Sequence, residues 1–116
     1  MNRDELGRAG EEAAVQHLTK NGFSIIKRNY RFGHYEVDII AKKNEELRFI
    51  EVKTRSSSYW GLPKEFVGRK QELRYIEAAE HYLESSDFDG DVYFDIIEVY
   101  AHQKWRVNHI EEAFYG

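Results

Sequence analysis

With 116 residues, 41% hydrophobic and 33% charged, the chain has the size and composition of a single domain, 1–116, built around one core. It has no cysteine, which excludes disulfides and thiolate metal sites. No apolar run approaches the roughly 20 residues that span a bilayer, so no membrane partner is expected. The net charge of −4 argues against indiscriminate nucleic-acid binding.

Residues 3–20 read as a helix, with Leu6, Ala9, Gly10, Ala13, Ala14, His17 and Leu18 on one face at helical spacing. Asn21-Gly22 ends it, Gly22 suiting the left-handed position after a helix. Residues 23–31 form a strand, and Gly33 serves the turn that follows. Residues 35–43 and 47–55 are two strands joined by a tight turn at Asn44-Glu45. A loop is expected over 56–63, then a helix over 64–85 with Phe66, Leu73, Ile76, Ala79 and Leu83 as its apolar side and Gly68 breaking its first turn. A strand at 91–100, a short partner at 104–107 and a closing turn or short helix at 110–114 complete the chain. The order predicts an α/β fold, a mixed β-sheet flanked by helices.

Chemistry concentrates in the central hairpin. Side chains two apart on a strand share a face, so Glu36 pairs with Asp38 and Glu51 with Lys53. A turn at Asn44-Glu45 sets Asp38 opposite Glu51 and Glu36 opposite Lys53, as a compact square of side chains. The reverse face is then Val37, Ile39, Ile50 and Val52, wholly apolar, and a slip by one residue would put charges among them. Opposed carboxylates repel, and one pKa should rise unless a cation sits between them. Mg²⁺ or Mn²⁺ suits such hard oxygen donors and could activate water there. Lys53 could contact a phosphate or position that water. On the first helix, Glu11 borders the apolar stripe while Glu12 points away. Gly7 and Gly10 each cost roughly 1 kcal/mol relative to Ala, which close approach of helix to sheet would explain.

The sequence Glu36-Val37-Asp38, followed by Phe49-Ile50-Glu51-Val52-Lys53, resembles the signature of the PD-(D/E)XK nuclease superfamily. With Gly7-x-x-Gly10-Glu11, Asn29-Tyr30-Arg31, Glu51-Val52-Lys53-Thr54-Arg55 and Phe94-Asp95, the chain resembles the YraN-like bacterial family over nearly its whole length. By pattern that family is similar to archaeal Holliday-junction resolvases at Glu11, Asp38, Glu51 and Lys53. The resemblance implies a restriction-endonuclease-like fold and Mg²⁺-dependent phosphodiester cleavage. It assigns Glu36, Asp38, Glu51 and Lys53 to catalysis and Glu11, Asp38 and Glu51 to the metal. Tyr35 stands where the family usually has Gly, its side chain expected on the face opposite Glu36.

Residues 20–74 hold 13 Lys and Arg against 7 Asp and Glu, a basic middle between acidic ends. Arg31, Arg55, Lys64, Arg69 and Lys70 are its candidate phosphate contacts. Tyr59-Trp60-Gly61 either anchors its loop or stacks on an unpaired base. Asp95 reads as a structural acceptor, and the five His show no ligand spacing. The leading expectation is a cytoplasmic, metal-dependent endonuclease acting on branched or structured DNA, with a homodimer compatible. The alternatives are a nucleic-acid-binding module that does not cut and a protein-interaction domain whose acids are surface salt bridges.

Overall fold

The computed structural model describes residues 2–55, 68–101 and 105–115. Helix α1 spans Arg3–Lys20. Asn2 caps it by accepting the Glu5 amide at 2.9 Å, and Asp4 and Glu5 lie in the first turn, where acids favour the helix dipole. It closes at Asn21, and Gly22 takes a φ of 88°. Five strands follow: β1 Ser24–Phe32, β2 Tyr35–Lys43, β3 Glu46–Arg55, β4 Asp91–Ala101 and β5 Trp105–Phe114, with α2, Arg69–Glu84, between β3 and β4.

The strands form one mixed sheet in the order β1-β2-β3-β4-β5. All neighbours are antiparallel except β3 and β4, whose parallel pairing requires the crossover that carries α2. One helix covers each face. The α1 side buries Ala14, Leu18, Phe23, Ile39, Ala41, Ile50, Ile97 and Val99. The α2 side buries Ile40, Leu47, Phe49, Tyr75, Ala78, Ala79, Phe94 and Phe114. The turn at Asn44, φ 54°, sets the predicted register, with Ile39 facing Ile50 and Lys43 facing Glu46.

Three expectations are corrected. Residues 105–114 make one strand rather than a short partner and a closing turn. A register shift opposite Phe94 and Ile96 and a positive φ at Glu112 put a bulge in β5, which breaks the alternation that would have marked it. On α2 the buried line is Tyr75, Ala78 and Ala79, whereas Leu73 is half exposed. Val37 packs with the α2-side core although Ile39 packs on the α1 side. The cause lies in the paired strand. Arg28 reaches Glu11 and Glu12 on α1, yet Tyr30, two residues on, reaches His81 on α2, because Asn29 between them has φ 53° and breaks the pleat. Of the expected helix over 64–85, residues 64–67 lie outside the described residues, as do the loop and Tyr59-Trp60-Gly61.

Candidate active site

The β2–β3 ladder ends at the Ile39–Ile50 pair. Beyond it the Asp38 carboxylate, rather than a backbone carbonyl, accepts the Val52 amide at 2.8 Å. The sheet is therefore opened at Asp38, and the side chain satisfies an amide that the parting strands would otherwise leave unpaired. Helix α1 closes one side of the opening. Gly10 lies against Thr54 of β3, where any Cβ would overlap the threonine side chain. This is the close approach expected from the glycine cost. At Gly7 nothing lies within 4 Å of a Cβ position, so packing does not explain that residue.

Pressed down at Gly10, α1 brings Glu11 beside the hairpin. A cleft of about 840 Å³ opens here, with Glu11, Glu36 and Asp38 among its lining and Arg3, Arg8 and Arg31 also in its walls. Glu11 reaches Arg28 at 3.4 Å, and Glu36 reaches Arg31 at 3.1 Å. Burial, and then the charges of Glu11, Glu51 and Glu36, push the Asp38 carboxyl up to about 7 even though the Val52 amide pulls the other way. The repulsion anticipated between carboxylates is thus present, and Asp38 bears it.

The expected square of directly opposed side chains is not formed, because the ladder stops one residue short of it. Lys53 pairs with Glu51 of its own strand at 3.2 Å, and Glu36 pairs across β1–β2 with Arg31. Glu51 is 7% exposed and accepts from Gln71 of α2 at 2.9 Å; its other oxygen, Oε2, is buried without a hydrogen-bond partner among the described residues. Among the described residues, no three His, Asp or Glu side chains stand as a group able to hold a metal ion. Glu11 and Asp38 line the cleft and offer the hard oxygen donors that suit a divalent cation, while Glu51, outside that lining, keeps a buried oxygen without a partner among the described residues.

Two residues of this site were not singled out from the sequence. Gln71 and Tyr75 lie one helical turn apart on α2. Gln71 holds Glu51, and Tyr75 is buried under the acids, its hydroxyl pushed up by burial and by the Asp38 and Glu51 charges. Assigning Leu73 to the buried side of α2 turned this pair away from the hairpin; the i,i+4 spacing of Gln71 and Tyr75 was the available signal. Tyr35 sits under the Arg74 guanidinium, 5.3 Å from its ring centre, on the α2 side.

The expected phosphate contacts do not gather in one place. Arg31 is at the cleft, 78% exposed. Arg55 lies 3.9 Å from the buried Glu98, and Arg69 is engaged by Glu72 and by the Tyr115 carbonyl, each at 3.1 Å. Lys70 is exposed on the first turn of α2, and Lys64 lies outside the described residues. Asp95 is the structural acceptor expected: fully buried, it takes Arg48, His109 and the Glu112 amide.

Residues 10–99 match the uncharacterised protein family UPF0102. A UPF0102 protein of Bacteroides thetaiotaomicron is 45% identical over 113 residues, 97% of this chain and 93% of the relative. One of Clostridioides difficile is 42% identical over 115 residues, 98% of this chain and all of the relative. Among solved structures the chain is similar to Pyrococcus furiosus SfsA in complex with Ca²⁺, with a TM-score of 0.38 and 16% identity, over 95% of this chain and 64% of that one. No helix of the described residues is long and apolar enough to cross a membrane. The chain belongs to the UPF0102 family.

Proposed function

We propose that this UPF0102 chain is a divalent-cation-dependent phosphodiesterase of the PD-(D/E)XK type, acting on branched or structured DNA. One observation carries the reading: Asp38 sits in the lining of a cleft, at the point where two strands part, with carboxylates from α1 and β2 around it. Burial first, and then the neighbouring carboxylates, push Asp38 up to about 7, and a cation joining the cluster would relieve the cost of its charged form. A purely structural cluster would gain by being solvated or neutralised.

In this reading Asp38, Glu51 and Glu11 would hold Mg²⁺ or Mn²⁺. When bound, the ion would lower the pKa of a water and stabilise charge on a phosphoryl oxygen. The Val52 amide fixes the Asp38 carboxylate, and Gln71 restrains Glu51, so two of the donors are oriented by neighbours. Lys53, 3.2 Å from Glu51, would supply the cation that meets the phosphate. Glu36, held by Arg31, shapes the electrostatics of the cleft.

The test is purified protein with Mn²⁺ against branched, flapped and linear DNA, wild type beside Asp38→Ala. Cleavage lost in the variant supports the enzyme. Binding without cleavage supports the non-catalytic module, and neither activity removes nucleic acid from the account.

A further inference from the structure

The sequence placed phosphate recognition in the basic middle, but the cleft is walled by two arginines from the acidic amino-terminal segment. We infer that Arg3 and Arg8 of α1, with Arg31 of β1, form the track that grips the backbone of one unpaired nucleic-acid strand and lays it over the acids. The inference rests on the nucleic-acid reading above and adds which face, which residues and what form of the polymer.

Arg3 and Arg8 are exposed, line the cleft, and make no ion pair among the described residues. Both guanidinium groups share that lining with Asp4, Glu11, Glu36 and Asp38. The five donors of each form a planar fork matched to phosphate oxygens. Arg31 keeps most of its surface in water despite its contact with Glu36. By contrast, the basic residues carried by α2 and the end of β3 are partly committed within the fold, Arg69 to Glu72 and Tyr115, Arg55 to Glu98.

The dimensions choose the strand form. A cleft of about 840 Å³ lies in the range that encloses a single small ligand. A volume of that size corresponds to a short run of one strand rather than to a turn of duplex. The lining also contains one more acid than base, so short-range arginine–phosphate contacts must supply the binding.

Fluorescence anisotropy of a labelled single-stranded oligonucleotide and of its duplex tests this, in the Asp38→Asn background with EDTA so that no probe is cut. The single strand is expected to bind more tightly than the duplex. Arg3→Gln with Arg8→Gln, both exposed substitutions, should flatten the slope of log K against log salt by about 1.4, two contacts at about 0.7 each. That corresponds to about 25-fold weaker binding at about 0.1 M salt. Arg69→Gln with Lys70→Gln should leave the slope in place. An unchanged slope in the α1 pair, or a loss carried by the α2 pair, overturns the track while leaving the nucleic-acid reading intact. Equal affinity for the duplex overturns the single-strand form. No binding of either probe overturns both. Cleavage does not enter this assay, so its outcome decides the track independently of the hydrolysis test above.

Discussion

Replacing Asp38 by Asn should stabilise the protein, and the amount should depend on pH. In the unfolded chain the carboxyl titrates near 3.8, whereas burial and the charges of Glu11, Glu51 and Glu36 hold it protonated to about 7 in the folded protein. Well below pH 3.8 both states carry the proton and the group costs nothing. Between the two values only the unfolded state releases it, so stability falls as pH rises, and above about 7 the full cost is in place. A displacement of this size, at about 1.4 kcal/mol per unit, gives about 4 kcal/mol. That is a large share of the roughly 5–15 kcal/mol that stabilises a domain. Asn keeps an oxygen to accept the Val52 amide and loses the charge. Thermal melts in EDTA should therefore show a gain of roughly 10–15 °C at about pH 8 and almost none at about pH 4. Mn²⁺ should stabilise the wild type at the higher pH by about 2.7 kcal/mol at a hundredfold excess over Kd, raising its midpoint, and leave the variant nearly unmoved. A variant equally stabilised at both pH values, or destabilised at the higher one, refutes the argument.

Other substitutions separate the remaining contacts. Gln71→Ala removes the hydrogen bond that restrains Glu51; metal affinity measured by titration should drop about 10–100-fold with the melting point little changed. Gly10→Ala forces a Cβ into the Thr54 side chain and should destabilise by about 1–3 kcal/mol in urea titration, whereas Gly7→Ala meets open space and should stabilise by up to about 1 kcal/mol. Asp95→Ala strips the buried Arg48 and His109 of their shared acceptor and should cost about 3–5 kcal/mol, much of it recovered when Arg48→Leu is added.

Much of the molecule was legible because its signals are local. The spacing of Ala14 and Leu18, the Asn21-Gly22 stop and the turn at Asn44 each depend on near neighbours in the chain. Together they set α1 and the register from Ile39–Ile50 to Lys43–Glu46. The acids themselves were also legible, since Glu36, Asp38 and Glu51 lie at fixed offsets in that hairpin. Their arrangement was not. Asp38 leaves the ladder to take the Val52 amide, and Asn29 breaks the pleat of β1 through a backbone angle. Alternation presumes an unbroken pleat and therefore mis-set Val37. The bulge at Glu112 hid half of β5 for the same reason.

What the sequence determined alone was the elements up to β4, the hairpin register from Ile39–Ile50 to Lys43–Glu46 and the positions of the acids in it, because turn chemistry and side-chain periodicity act over a few residues. Only the tertiary structure decided which groups those acids meet. Arg3 and Arg8 reach the cleft lining because Gly10 lets α1 settle on Thr54, and Gln71 reaches Glu51 because the β3–β4 crossover lays α2 on the other face. Such contacts join residues tens of positions apart. They are fixed by the packing of whole elements, which no short window of sequence encodes.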